Sequence, residues 1–202
     1  MGGEQVWRDT RIGNMGLTIH SLGELPHNVE RGFYVYLLDY GWHEPLADAL
    51  RQNFNQMADL ASRNDAVVFK GTGVHFNDEV LSWHHVNGQE AEDILPAILI
   101  TTRHPRLFYD ANLTKNDTYH ITDDKLLLIP LRKVCKNTTD VTTLISKIFH
   151  DIKEKKGLRD FDVVKELKSG EKGALTDALI LRPSINGVGL DLKAIAKFFR
   201  GR

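Results

Sequence analysis

Cysteine is the rarest residue type in this chain. The 202 residues contain one, Cys135, so neither an intramolecular disulfide nor a multi-cysteine metal site can form. Long apolar runs are missing too. A stretch such as LLLIPL at 126–131 is far shorter than the roughly 20 residues that a membrane-spanning helix needs. We therefore expect no membrane association.

The chain also lacks an excess of charge of either sign. Its 26 Lys and Arg residues against 27 Asp and Glu residues leave a net charge of −1, so no overall field attracts nucleic acid. Basic segments such as TTRHPRLF (101–108) and KEKKGLR (153–159) keep nucleic-acid binding as a local alternative. The first sixteen residues have no apolar core of signal-peptide length. We expect a cytoplasmic protein.

Hydrophobic periodicity predicts an α/β core. FYVYLLD (33–39) is apolar almost throughout, which is typical of a strand buried on both faces. Pro45 suits the first turn of a helix, and apolar residues recur behind it on a helical period. AVVFK (66–70) is the next strand, and a right-handed crossover makes it parallel to the first. Further elements are a helix at 77–85 capped by Asn77, strands at 96–101 and 125–133, and a helix that begins at a Thr139 cap and ends at Gly157.

Composition divides the chain into three parts. Residues 1–14 are polar and aperiodic, which predicts a flexible arm. The core covers 15–156. An extension at 157–202 is expected to pack on the core or on a partner, with a strand at 177–183 and a final helix at 191–199. That helix begins at Asp191 and carries Phe199 on its apolar side.

The order strand, helix, strand, helix, strand, strand, helix over 33–156 resembles the thioredoxin-like fold. GWHEP (41–45) lies where that family places its redox motif, and ILPAILIT (94–101) resembles the segment in which a cis-proline introduces the third strand. The resemblance implies a mixed sheet flanked by helices and a cis Leu95–Pro96 bond. Thiol–disulfide exchange needs a thiolate in the redox loop, and GWHEP has none. The sequence therefore argues against the family's redox activity.

Polar residues follow both predicted parallel strands, at the edge where such sheets tend to bind ligands. The first strand leads into Trp42, His43 and Glu44, and the second into Lys70, Thr72, His75 and Asp78, with Pro96 bordering the same edge. KGTG (70–73) is a weak anion-binding signal, since the longer phosphate-binding motifs are absent. His75, Asp78 and nearby histidines are metal-ligand types, but their spacing matches no signature.

Two functions follow from this arrangement. The first is a non-redox binding or accessory module that acts through protein–protein interaction in a cytosolic assembly, with a protein partner or a second copy of the chain. Its partner-binding residues would be Trp42, Lys70, Thr72, Pro96 and Phe199. The alternative is a hydrolytic or metal-assisted enzyme that uses His43, Glu44, His75 and Asp78. We expect neither a cofactor nor a bound metal in the first case.

Overall fold

The computed structural model describes residues 15–25, 30–84, 86–87, 94–107, 126–169, 180–181 and 190–191. Within these ranges the chain forms one larger sheet and one short strand pair. The strands are β1 (Gly16–Ile19), β2 (Phe33–Leu38), β3 (Ala66–Gly71), β4 (Val86–Asn87), β5 (Ala97–Thr101), β6 (Leu126–Pro130), β7 (Ile180–Leu181) and β8 (Leu190–Asp191). The helices are α1 (Pro45–Gln52), α2 (Phe54–Ser62), α3 (His75–Trp83), α4 (Leu131–Val134), α5 (Thr138–Lys153) and α6 (Asp162–Ser169).

The larger sheet is mixed, with strand order β1-β3-β2-β5-β6-β7. β3 lies between β1 and β2 and is parallel to both, whereas β5 and β6 continue the sheet in antiparallel pairing. The register places Val35 of β2 opposite Val68 on one side and opposite Ile100 on the other. The α/β prediction is confirmed, and this layout is consistent with a thioredoxin-like arrangement. The Leu95–Pro96 peptide bond is cis.

Helices cover both faces of the sheet. All six residues of β2 are buried, and because alternate side chains point to opposite faces, the strand contributes to two apolar cores. Val35 and Leu37 pack with residues of α1, α2, α5 and α6. Tyr34, Tyr36 and Leu38 pack with residues of α3. This burial on both faces is what the unbroken apolar run predicts.

Several predicted element boundaries were wrong. The helix that starts at Pro45 is interrupted at Asn53, whose side-chain nitrogen donates to the Ala49 carbonyl oxygen at 2.8 Å. Such local bonds compete with the regular helix pattern. The fourth strand ends at Pro130 rather than 133, because residues 131–134 turn into α4.

Both ends of α5 also differ from the prediction. Its cap is Asn137, not Thr139, and the Asn137 side-chain oxygen accepts from the Asp140 amide at 3.0 Å. The helix also ends at Lys153, before the expected Gly157. Lys155, rather than a glycine, takes the positive φ of 51° after the last turn.

The first part of the predicted extension contributes to the core. Leu158, Phe161 and Val164 are buried in the same cluster as α5. Of the strand predicted at 177–183 the described part is β7, which pairs with β6. Asp191 lies in β8, which pairs with β4. The arm at 1–14, Phe199 and the rest of the final helix lie outside the described residues.

None of the described helices combines the length and apolar character needed to cross a bilayer.

Candidate functional site

A pocket of about 280 Å³ opens where β2 and β3 end. Because the two strands are parallel, the loop that follows Leu38 and the loop that follows Gly71 leave the same edge of the sheet. α1 closes the third side. The wall is formed by Leu37, Asp39, Tyr40, Gly41, Leu50, Arg51, Lys70, Gly71, Thr72, Gly73, Val74 and Asn77. Two of the residues predicted for this edge, Lys70 and Thr72, therefore line the pocket.

An ion-pair network organises the first loop. The Arg51 guanidinium donates to Asp39 Oδ2 at 2.5 Å, also contacts Asp48, and reaches the Trp42 carbonyl oxygen at 3.2 Å. The other Asp39 oxygen accepts from the Gly41 amide at 2.6 Å. Partial burial lowers the pKa of Arg51, but hydrogen bonds to the two carboxylates outweigh it and raise that pKa above its ordinary value. The network ties the loop to α1.

Asn77 joins this loop to α3. Its side-chain oxygen accepts from the Asp39 amide at 3.1 Å, and its side-chain nitrogen donates to the Asp39 carbonyl oxygen at 2.7 Å. The prediction that Asn77 caps a helix was wrong, because α3 starts two residues earlier at His75 and Asn77 is buried within it. We call these two hydrogen bonds the Asn77 clamp. The sequence signal for it was a short polar side chain inside an amphipathic helix.

Large apolar side chains are exposed on both loops. Trp42 is 50% exposed and its ring centroid lies 5.6 Å from that of Tyr40, a pocket-lining residue. Val74, which lines the pocket itself, is 47% exposed. Among the residues described, Leu107 is the other large exposed hydrophobic. It lies at the opposite end of β2, close to His104, whose ring packs on Tyr34.

Lys70 and Thr72 differ in their contacts. The Lys70 ammonium lies 4.7 Å from the centroid of the Phe54 ring, a cation–π distance. No carboxylate in the described part of the chain forms an ion pair with it. The Thr72 hydroxyl is 3.2 Å from Nδ1 of His20, and its amide donates to the Ile19 carbonyl oxygen, so Thr72 anchors the second loop to β1.

The residues proposed for acid–base chemistry are not joined to one another. Both carboxylate oxygens of Glu44 accept from Arg132, at 2.8 and 2.5 Å. These hydrogen bonds lower the pKa of Glu44, although partial burial opposes them. His43, His75 and Asp78 are exposed. In the described ranges neither histidine hydrogen-bonds to Glu44 or Asp78.

Pro96 is buried at this edge of the sheet. Its carbonyl oxygen accepts from the Leu131 amide at 2.9 Å. It therefore holds the start of β5 against α4 and does not line the pocket.

The residues described include no group of three or more His, Cys, Asp or Glu side chains placed to hold one ion. Cys135 is buried beside a second pocket of about 270 Å³. Burial, with a smaller contribution from Asp140, raises the pKa of its thiol to about 11.

Comparison of the chain with protein-family models, with curated proteins and with solved structures finds no match.

Proposed function

We propose that this protein is a non-redox member of the thioredoxin-like superfamily that serves as a binding module in a cytosolic assembly. Its contact surface would be Trp42, Val74 and the pocket beside them, which we call the recognition edge. The strand order and directions of the sheet support the superfamily assignment. The exposed pair Trp42 and Val74 supports the binding function, because exposed apolar groups around a pocket are typical of interaction sites.

The two loops of the recognition edge are held before any partner arrives. Arg51 fixes the first loop to α1, Asn77 fixes it to α3, and Thr72 fixes the second loop to β1. Binding to an ordered surface avoids part of the entropy cost of association. The exposed Trp42 can therefore act as a rigid aromatic anchor, the residue type that most often dominates binding energy.

The contacts of Glu44 favour this function over the hydrolytic alternative. A general acid or base needs a pKa near the working pH, whereas Arg132 pushes the pKa of Glu44 downward. Glu44 therefore remains ionised and paired at neutral pH. Its position at the start of α1 gives it a structural role, because the pair joins this helix to α4.

A capture experiment with matched variants tests the proposal. The tagged full-length protein, Trp42→Ala, Val74→Ser and Leu107→Ala are each incubated with native cell extract and the bound proteins are identified. Leu107 is 51% exposed, so its variant removes an apolar side chain of similar fractional exposure at the other end of the sheet. We expect one partner to be retained by the parent and by Leu107→Ala and lost by the other two.

Two results would contradict the proposal. One is that the Trp42 and Val74 variants retain the partner as well as the parent does. The other is turnover on a panel of hydrolase substrates that is lost in His43→Ala or His75→Ala while the fold is kept. Sedimentation velocity of the purified protein, which reports self-association directly, shows whether the partner is a second copy.

A further inference from the structure

We infer that the pocket of the recognition edge receives a carboxylate group from the partner, held by the ammonium group of Lys70. This inference rests on the proposed binding function and names the chemistry that the partner must present. The relevant group is an Asp or Glu side chain, or a chain terminus, next to an apolar residue that packs on Trp42 or Val74.

The charges of the pocket wall carry the argument. Three charged residues line it, namely Asp39, Arg51 and Lys70. Asp39 and Arg51 form an ion pair, Arg51 also contacts Asp48, and the second Asp39 oxygen is occupied by a backbone amide. Lys70 is thus the charged residue of the wall that forms no ion pair with a carboxylate of the described chain. A carboxylate from outside is the complementary group.

The surroundings of Lys70 strengthen an ion pair there. Leu37 and Leu50 form apolar parts of the same wall, and the Lys70 ammonium already lies against the Phe54 ring. Coulomb attraction increases as the effective dielectric constant falls below that of water. The Coulomb attraction within an ion pair at this position is therefore stronger than within one on an open surface.

The size of the pocket selects a small group. Its volume of about 280 Å³ lies just under the range of roughly 300–1,000 Å³ common for small-molecule sites. That space suits one or two side chains of a peptide rather than a whole cofactor. The loop that follows Gly71 leaves room for a partner group to approach its backbone, because a Cβ added at Gly73 would meet nothing within 4 Å.

Arrayed peptides provide the probe. Pools of random hexapeptides, each with one position fixed as Asp/Glu, Asn/Gln, Lys/Arg or Leu/Phe, are incubated with the labelled full-length protein. We expect the Asp/Glu pools to be retained about tenfold more strongly than the isosteric Asn/Gln pools, the ratio that corresponds to about 1.4 kcal/mol. Raising the salt concentration should reduce that ratio, because screening weakens the ion pair.

Variants assign the preference to one residue. Lys70→Met keeps the aliphatic stem against Phe54 and should lose the acidic preference, while Lys70→Arg should keep it. Lys153→Met removes the same charge from an exposed position on α5 and should behave like the parent. Trp42→Ala should weaken binding to all pools alike.

The outcomes separate the two proposals. Equal retention of acidic and amide pools, or an acidic preference that survives in Lys70→Met, overturns the carboxylate inference and leaves the binding function intact. Retention of no pool by the parent protein overturns both. Should Lys70→Met fail to fold, the salt dependence of the parent and the behaviour of Lys70→Arg still decide, since a preference insensitive to salt contradicts the inference.

Discussion

Replacing Asn77 with alanine removes both hydrogen bonds that join α3 to the backbone of Asp39. Asn77 is 2% exposed, so the Asp39 amide and carbonyl groups that lose their partner have limited access to water. Each buried polar group left without a partner costs about 1–3 kcal/mol. Asp39 is itself partly exposed, with its side chain at 13%, so the combined penalty for the two groups should lie toward its lower end. We expect a loss of about 2–4 kcal/mol in the free energy of unfolding.

Asn77→Asp separates this clamp from a helix cap. Asp and Asn are equally good caps, so a capping role predicts almost no change. As a clamp, an aspartate still accepts from the Asp39 amide but has no proton to donate to the Asp39 carbonyl oxygen at neutral pH. We therefore expect Asn77→Asp to lose at least about 1–3 kcal/mol, the cost of one unsatisfied buried acceptor, because burial of the new negative charge adds to that loss.

Urea unfolding followed by circular dichroism measures both losses, with the slope m unchanged if the unfolded state is unaffected. Asn64→Ala is the matched control. Its side chain also donates to a carbonyl oxygen, that of Leu60 at 2.7 Å, but at a less buried helix end where water can replace it. We expect that variant to lose under about 1 kcal/mol. A loss of the same size for Asn77→Ala, or an Asn77→Asp variant as stable as the parent, would refute the clamp.

Two further perturbations test the packing of the recognition edge. Glu44→Gln removes the ion pair with Arg132 and should cost about 0.5–1 kcal/mol at pH 7, because solvent screens this partly exposed pair. Since the pKa of Glu44 is lowered in the folded protein, its stabilisation is present above the unfolded pKa and disappears as pH falls through the folded one. Urea unfolding should therefore show a larger stability difference between the parent and Glu44→Gln at pH 7 than at pH 3. Equal differences at the two pH values would contradict this expectation. Gly71→Ala would place a Cβ 2.4 Å from Cβ of Phe76 and should lower stability by about 1–3 kcal/mol, whereas Gly73→Ala should be nearly neutral in the same assay.

The strands and the main helices were predictable because their signals are local. The run FYVYLLD becomes β2 with every residue buried, and Pro45 begins α1. The parallel pairing of β2 and β3 followed from the intervening helix, and a pocket opens at the sheet edge where both strands end. Element ends were less predictable. Asn53 and Asn137 show why, since a side-chain hydrogen bond of one residue decides where a helix breaks or begins.

The polar contacts of the edge were not predictable, because they join residues far apart in sequence. Asn77 bonds to Asp39 across 38 positions and Arg132 bonds to Glu44 across 88. Neither spacing is a local pattern, so only the folded chain brings the partners together. Those contacts divide the polar residues of the edge into two groups. Asp39, Asn77 and Glu44 are occupied in holding the loops, whereas Lys70 faces the pocket without a carboxylate among the residues described. The proposed binding function and the chemistry inferred for its partner therefore rest on Lys70 and the exposed Trp42.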